Sequence, residues 1–258
     1  MWDFDRNAGL PLWRPQGGTP SAVLQFSTRQ GGVSRAPYDA LNLGRSTGDD
    51  PAAVAENRAR VLQSAGFGPA ALATAGQCHG TRVTEVLAPG HHPECDALVT
   101  RVPGVALAVT TADCMSLLYC APGVVAAVHS GWRGTADGMP LATLEVVCRL
   151  AGCAPDAVQV AIGPAIRGCC YEVGDEVASR FPAEAVRAAA GRPKLDLPTA
   201  AERMLRTAGV RAESLSDTGA CTSCEPALYF SHRRDHGQTG RHWGLAAVSY
   251  THLTLPTN

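Results

Sequence analysis

Apolar positions are densest in the middle of the chain. Two short runs rich in strand formers, Met115–Cys120 and Val124–Val128, flank the turn residues Ala121-Pro122-Gly123. This pattern predicts a buried β-hairpin. Folded about the Ala121/Pro122 midpoint, the hairpin pairs Leu118 with Val125, Ser116 with Ala127, and Cys114 with His129. Opposed Cβ atoms lie about 4.5–5.5 Å apart, close enough for a thiol and an imidazole to share one metal ion. Ala-Pro is not the usual two-residue hairpin turn, and a one-residue slip would send one of the two groups to the other face. Plain packing of a buried Cys and a His capped by a carbonyl stand as the alternative.

Elsewhere the periodicity alternates between strand and helix. Ala22–Ser27, Val83–Leu87, Asp96–Thr100, Val105–Thr110, Val158–Ile162 and Gly244–Ser249 read as strands. A helix is expected over Pro51–Ala65, with Asp49 or Asp50 as N-cap, Pro51 at a tolerated first position and Gly66 as the stop. Leu141, Leu144, Val147, Cys148 and Ala151 recur at helical spacing and predict one helix over Ala136–Ala151. A further helix covers Leu197–Ala208. With no repeat, low-complexity tract or linker, these elements predict a single α+β domain over residues 22–249. Residues 1–21, rich in Pro and Gly, are expected to be an irregular entry. The tail 250–258 continues no apolar pattern and is expected to lie outside the fold.

Composition narrows the classes. The chain has 258 residues, 45% hydrophobic and 17% charged, with a formal net charge of −1, so no basic block recruits nucleic acid or anionic lipid. No apolar run approaches the ~18 residues of a membrane span. The start, Met1-Trp-Asp-Phe-Asp-Arg, lacks a charged and then apolar leader, and a cytoplasmic location is expected. In that compartment the ten cysteines stay reduced, and metal ligation or packing outranks disulfides.

The chemistry-bearing candidates are His79, Cys114 and His129. One thiolate and two imidazoles give zinc three protein ligands and leave a fourth position for water; two His and one Cys also suit copper. Met115, adjacent to Cys114, points away from the site in a strand, which weighs against copper. The pair His92-Pro93-Glu94 and Cys221-Thr-Ser-Cys224 imitates a nucleobase-deaminase signature, but Cys221 is not preceded by Pro and the two halves are over a hundred residues apart. A single C-x-x-C is half a zinc site, or a packed loop pair. The loop FSTRQGGVS (26–34) couples adjacent glycines to Arg29, a composition that suits an anion.

Six motifs in order carry a resemblance. QCHGTRV (77–83), CDALVT (95–100), TADC (111–114), HSGWRG (129–134), IGPAIRGCCYEVG (162–174) and FSHRRDHGQTGR (230–241) resemble the purine nucleoside phosphorylase or laccase-domain family, also labelled polyphenol oxidase or peptidoglycan editing factor. The likeness spans about Phe26 to Val248. It implies a mixed-sheet α/β/β/α sandwich and a zinc held by His79, Cys114 and His129. It further implies phosphorolysis of adenosine, inosine, guanosine and methylthioadenosine, with adenosine deamination. Small-molecule purine nucleosides and phosphate are the expected partners, and a monomer or homodimer the expected state. On this reading Arg29, Asn42, Arg133, Tyr171 and Arg233 are substrate contacts, and Glu172 joins Tyr171 at the pocket. Asp113 orients a ligand histidine, or else caps a turn. Departures are mild: Ser130, Met115-Ser116 and Ala165 replace commoner residues, and no ligand is lost. A copper-dependent phenol oxidase and a non-enzymatic editing role on a cell-wall precursor are the alternatives.

Overall fold

The computed structural model describes residues 2–5, 8–16, 22–188 and 191–249; the expectation for the tail 250–258 lies outside them. In chain order the strands are β1 (Trp2–Phe4), β2 (Leu12–Pro15), β3 (Ala22–Ser27), β4 (Leu72–Ala75), β5 (Val83–Glu85), β6 (Gly90–His92), β7 (Ala97–Thr100) and β8 (Ala106–Thr111). They continue with β9 (Met115–Ala121), β10 (Val124–Ser130), β11 (Gln159–Ile162), β12 (Val186–Arg187), β13 (Lys194–Leu195), β14 (Leu215–Asp217) and β15 (His242–Val248). The helices are α1 (Pro51–Ser64), α2 (Trp132–Ala136), α3 (Met139–Ala151), α4 (Asp175–Ala178) and α5 (Leu197–Thr207).

Two mixed sheets form, ordered β1-β2-β3-β15-β8-β4-β6 and β14-β11-β9-β10-β7-β5. Strand alternation sorts the side chains into layers. Leu107 and Val109 of β8, Leu118 of β9, Ala127 of β10 and Ala246 of β15 meet between the sheets. The neighbours one residue along point outward. Ala106, Ala108, Trp243 and Leu245 pack beneath Val61 and Leu62 of α1. Leu117, Tyr119, Ala126 and Val128 pack beneath Leu144 and Val147 of α3 and Leu205 of α5. The result is the α/β/β/α sandwich of a single mixed α/β domain. No helix among the described residues is long and apolar enough to cross a membrane.

The central hairpin forms with a corrected register. Its turn is Pro122-Gly123, closed by the pair Ala121 with Val124, and it sets Leu118 opposite Ala127 and Ser116 opposite His129. Gly123 has φ +70°, the left-handed position that a Pro-Gly turn requires at its second residue. Each partner moves by two residues from the expected pairing, so every side chain keeps its face. Cys114 consequently sits one residue before β9 and not within the ladder.

Other differences have local causes. Residues 1–21 are not wholly irregular: β1 and β2 pair with each other and β2 with β3, and Phe4 stacks on Trp13 at 4.7 Å. Pro11 and Pro15 bracket β2 without abolishing it. The helix expected over Ala136–Ala151 is two, α2 and α3, because Gly138 takes φ +92° between them. Helix α1 begins as expected, with the Asp50 side chain accepting the Ala52 N–H, a cap of about 1 kcal/mol.

Candidate metal centre

The site is assembled at one end of the sandwich around a buried carboxylate. Asp96 precedes β7 and is fully buried. Its oxygens accept the backbone N–H groups of Cys78 at 3.0 Å, His79 at 3.0 Å and Gly80 at 2.9 Å. These bonds hold the 77–80 loop in a conformation that it would otherwise avoid, since Gln77 (φ 43°) and His79 (φ 61°) are both left-handed. The same carboxylate meets His129 Nδ1 at 2.7 Å. Burial alone would raise the Asp96 pKa; the His129 ring and the loop amides hold it well below the usual carboxylate range. An ionised carboxylate can only accept, so His129 Nδ1 carries a proton and Nε2 is left for the site.

Cys114 arrives from the other side. Asp113, at φ 84°, turns the chain just before β9. The ligating atoms of His79, Cys114 and His129 all lie within 4.8 Å of one another. The two imidazoles meet edge to face, with centroids 4.8 Å apart. Gly131 leaves room for them: a Cβ there would stand 3.1 Å from Cys114 Sγ and 3.2 Å from His79 Cδ2. Burial opposes charge on both Cys114 and His129, yet each stabilises the other's charged form. The Cys114 thiol falls from 9.0 to about 6, with His129 and then His79 as the cause. His129 rises from 6.5 to about 9 under the pull of Cys114 and Asp96. A thiolate, two imidazoles and a second-layer carboxylate fit a zinc-class ion with an open position.

These groups face a cavity of about 340 Å³, also lined by Gln77, Asp113, Tyr171, His232, Arg233 and Arg241. That volume lies within the range of small-molecule sites. The Arg233 guanidinium stacks 5.0 Å above the Tyr171 ring, and burial first, then the Cys114 charge, pushes the Tyr171 pKa up to about 12. A second cavity of about 280 Å³ shares Gln77, Thr110 and Arg241 with the first and adds Arg45, Arg58 and His91. Arg58 is buried, and its Nη1 has no hydrogen-bond partner.

The expected residues divide into two groups. His79, Cys114, His129, Asp113, Tyr171 and Arg233 come together at one cavity. Asp113 orients neither histidine; its oxygens accept from Thr222 Oγ1 and the Arg233 N–H, each at 2.6 Å. Arg29 is committed elsewhere, to Asp39 at 3.1 Å and to the Phe230 ring at 4.7 Å. Asn42 is fully buried and lines neither of these cavities; its Oδ1 accepts the Arg241 N–H at 2.9 Å and so fixes a residue that lines both. Exposed Arg133 lies over Trp132 at 4.3 Å and does not line the cavity.

Sequence reasoning overlooked Asp96, Gln77 and Arg241. The signal for Asp96 was present in CDALVT, an acidic residue entering an otherwise apolar strand. Gln77 fixes the cavity floor, taking the Thr110 N–H at 2.8 Å and donating to the Thr110 carbonyl at 2.7 Å.

Comparison with known proteins identifies the family and the fold. The profile of the family described as multi-copper polyphenol oxidoreductase laccase matches residues 23–249. A protein named purine nucleoside phosphorylase from Deinococcus radiodurans is 45% identical over 247 residues, 93% of this chain and 94% of that one. Purine nucleoside phosphorylase YlmD from Geobacillus stearothermophilus is 36% identical over 89% of this chain and 92% of its own. The crystal structure of that YlmD superposes with a TM-score of 0.88 at 34% identity, covering 96% of this chain and 99% of that one. YfiH of Bacillus licheniformis gives 0.87 at 29% identity, covering 95% and 99%. By profile, sequence and shape together, the chain belongs to the multi-copper polyphenol oxidoreductase laccase family.

Proposed function

We propose that the protein is a zinc-dependent purine nucleoside phosphorylase that also deaminates adenosine. The observation that carries this reading is the convergence of His79, Cys114 and His129 on a nucleoside-sized cavity that shares wall residues with an arginine-lined one. Zinc held by those three residues would supply an electrophile and an acidified water, the chemistry that deamination at C6 needs. The names of the relatives support the phosphorylase half.

The chain's own groups supply the rest. Asp96 holds His129 in one tautomer and one orientation. Tyr171 stays protonated at neutral pH and offers a neutral ring and hydroxyl to the base. In phosphorolysis a phosphate oxygen bonds to C1′ of the ribose as the bond from C1′ to the purine nitrogen breaks, and the base leaves with that electron pair. Arg233 and Arg241 line the space where the anion must sit, and Arg45 and Arg58 extend the positive wall.

Copper oxidation of phenols is the competing reading, from the same ligands. Met115, the sulfur nearest Cys114 in sequence, packs into the outer core with Leu117 and Tyr119 and offers no axial ligand. The test is product analysis after incubating metal-quantified protein with adenosine, with and without phosphate. Adenine with ribose 1-phosphate, appearing only with phosphate, supports phosphorolysis; inosine supports deamination. Absence of both from zinc-loaded protein overturns the proposal, and phenol oxidation by the copper-loaded form alone establishes its rival.

A further inference from the structure

A second group of thiols lies outside the cavity. Cys169 and Cys170 sit on the loop after β11, and Cys221 and Cys224 on the loop after β14. The sulfur of Cys169 is 3.5 Å from those of Cys221 and Cys224, and that of Cys170 is 3.3 Å from Cys224. All four sulfurs lie within 4.8 Å of one another. A tetrahedral zinc with bonds of ~2.3 Å sets its sulfurs ~3.8 Å apart, so the cluster is already close to the size that one ion demands. All four are free thiols.

Cations stand beside the two loops. Lys194 Nζ donates to the Cys169 carbonyl at 2.9 Å, and Arg234 Nη1 to the Thr222 carbonyl at 2.7 Å. Both cations fix the loops that carry the thiols while paired with carboxylates of their own, Lys194 with Glu172 and Arg234 with Asp235. The two loops are already laddered, with Thr222 N–H donating to the Ala165 carbonyl at 3.1 Å. Cys221 is buried, while Cys169 and Cys224 reach the surface, so an ion has a path in.

We propose that Cys169, Cys170, Cys221 and Cys224 form a second metal centre, a closed four-thiolate site for a zinc-class ion. Its role is to brace the cavity. Tyr171 follows Cys170 directly, and Thr222, between the other two cysteines, hydrogen-bonds Asp113. The clip therefore ties two segments of the cavity wall together from behind. Nothing in it requires the nucleoside chemistry.

Anaerobic cobalt loading separates the two centres. The wild-type protein is expected to take up about two equivalents, and Cys114→Ala about one. The Cys114→Ala spectrum should show the intense sulfur-to-cobalt bands of a tetrahedral four-thiolate site. Adding Cys224→Ser should abolish those bands, and chelator should then no longer lower the thermal midpoint. X-ray absorption on zinc-loaded Cys114→Ala gives a measurement independent of how the double variant folds, with a shell of four sulfurs expected. No thiolate-bound cobalt in folded Cys114→Ala, a nitrogen and oxygen shell, or a disulfide among these cysteines in protein purified with zinc and reductant would overturn the proposal.

Discussion

Asp96 carries more of the candidate centre than any single ligand does. It fixes the loop that presents His79 and the ring of His129 at once, through five hydrogen bonds from two segments. Asp96→Asn keeps the shape but removes the charge and offers an amide N–H against donors. The expected outcome is a 10–100-fold loss of zinc affinity with the fold retained, read by chelator competition alongside circular dichroism. The Cys114 thiol gives a second check. Its folded value of about 6 lies below the ordinary 9.0, so its stabilising contribution is complete above 9.0 and is lost as pH falls through about 6. His129 runs the other way: its contribution is complete below 6.5 and is lost as pH rises through about 9. In metal-free protein the ultraviolet absorbance of thiolate, taken as wild type minus Cys114→Ala, should therefore titrate near 6. A midpoint close to 9 would mean that the imidazoles do not act on the sulfur.

At the scale of elements, the parity of β9 and β10 decides the outcome. Even positions of β9 and odd positions of β10 face the other sheet, which places Ser116 and His129 on the inner side. That parity was legible in the sequence, because a two-residue error in register leaves faces unchanged. The turn was not read correctly, since Pro122-Gly123 announces itself through the left-handed freedom of Gly123 and the apolar runs alone do not locate it. The longer strands and helices followed from periodicity, whereas short β4, β6 and β14 did not, and neither did the break at Gly138, because Leu141, Leu144 and Val147 all follow it and say nothing of the turn before them. Arg29 and Asn42 were misplaced for a different reason: loop composition tells that a cation or amide is present, and only tertiary packing tells which cavity it meets. The same packing makes Gly163 a sensitive point. A Cβ there would lie 2.5 Å from Phe26 Cδ1 and 2.6 Å from Ser116 Oγ, between the sheets. Gly163→Ala should cost about 1–3 kcal/mol, read as a lower denaturant midpoint at unchanged slope.

For the whole molecule, the two adjoining cavities set the division of labour. Gln77, Thr110 and Arg241 belong to both, and the metal ligands to one. Arg241 is held through its backbone by buried Asn42 and through its guanidinium by the carbonyls of Thr239 and Gly240. Replacing it with Met keeps the stem and deletes the charge. A charged hydrogen bond is worth about 1.5–3 kcal/mol, so the phosphate KM should rise roughly tenfold or more, with bound zinc unchanged. An equal effect on phosphate-independent deamination would place Arg241 at the nucleoside and not at the anion.

The position of β15 has a consequence for how the protein comes into being. Residues 242–248 lie between β3 and β8, joining the two halves of the seven-stranded sheet. During translation the early strands must wait, unpaired along that seam, until residues 242–248 have been made. Contacts so far apart in sequence form slowly and leave sheet edges open meanwhile. A nascent chain stalled before His242 is therefore a natural client for chaperones.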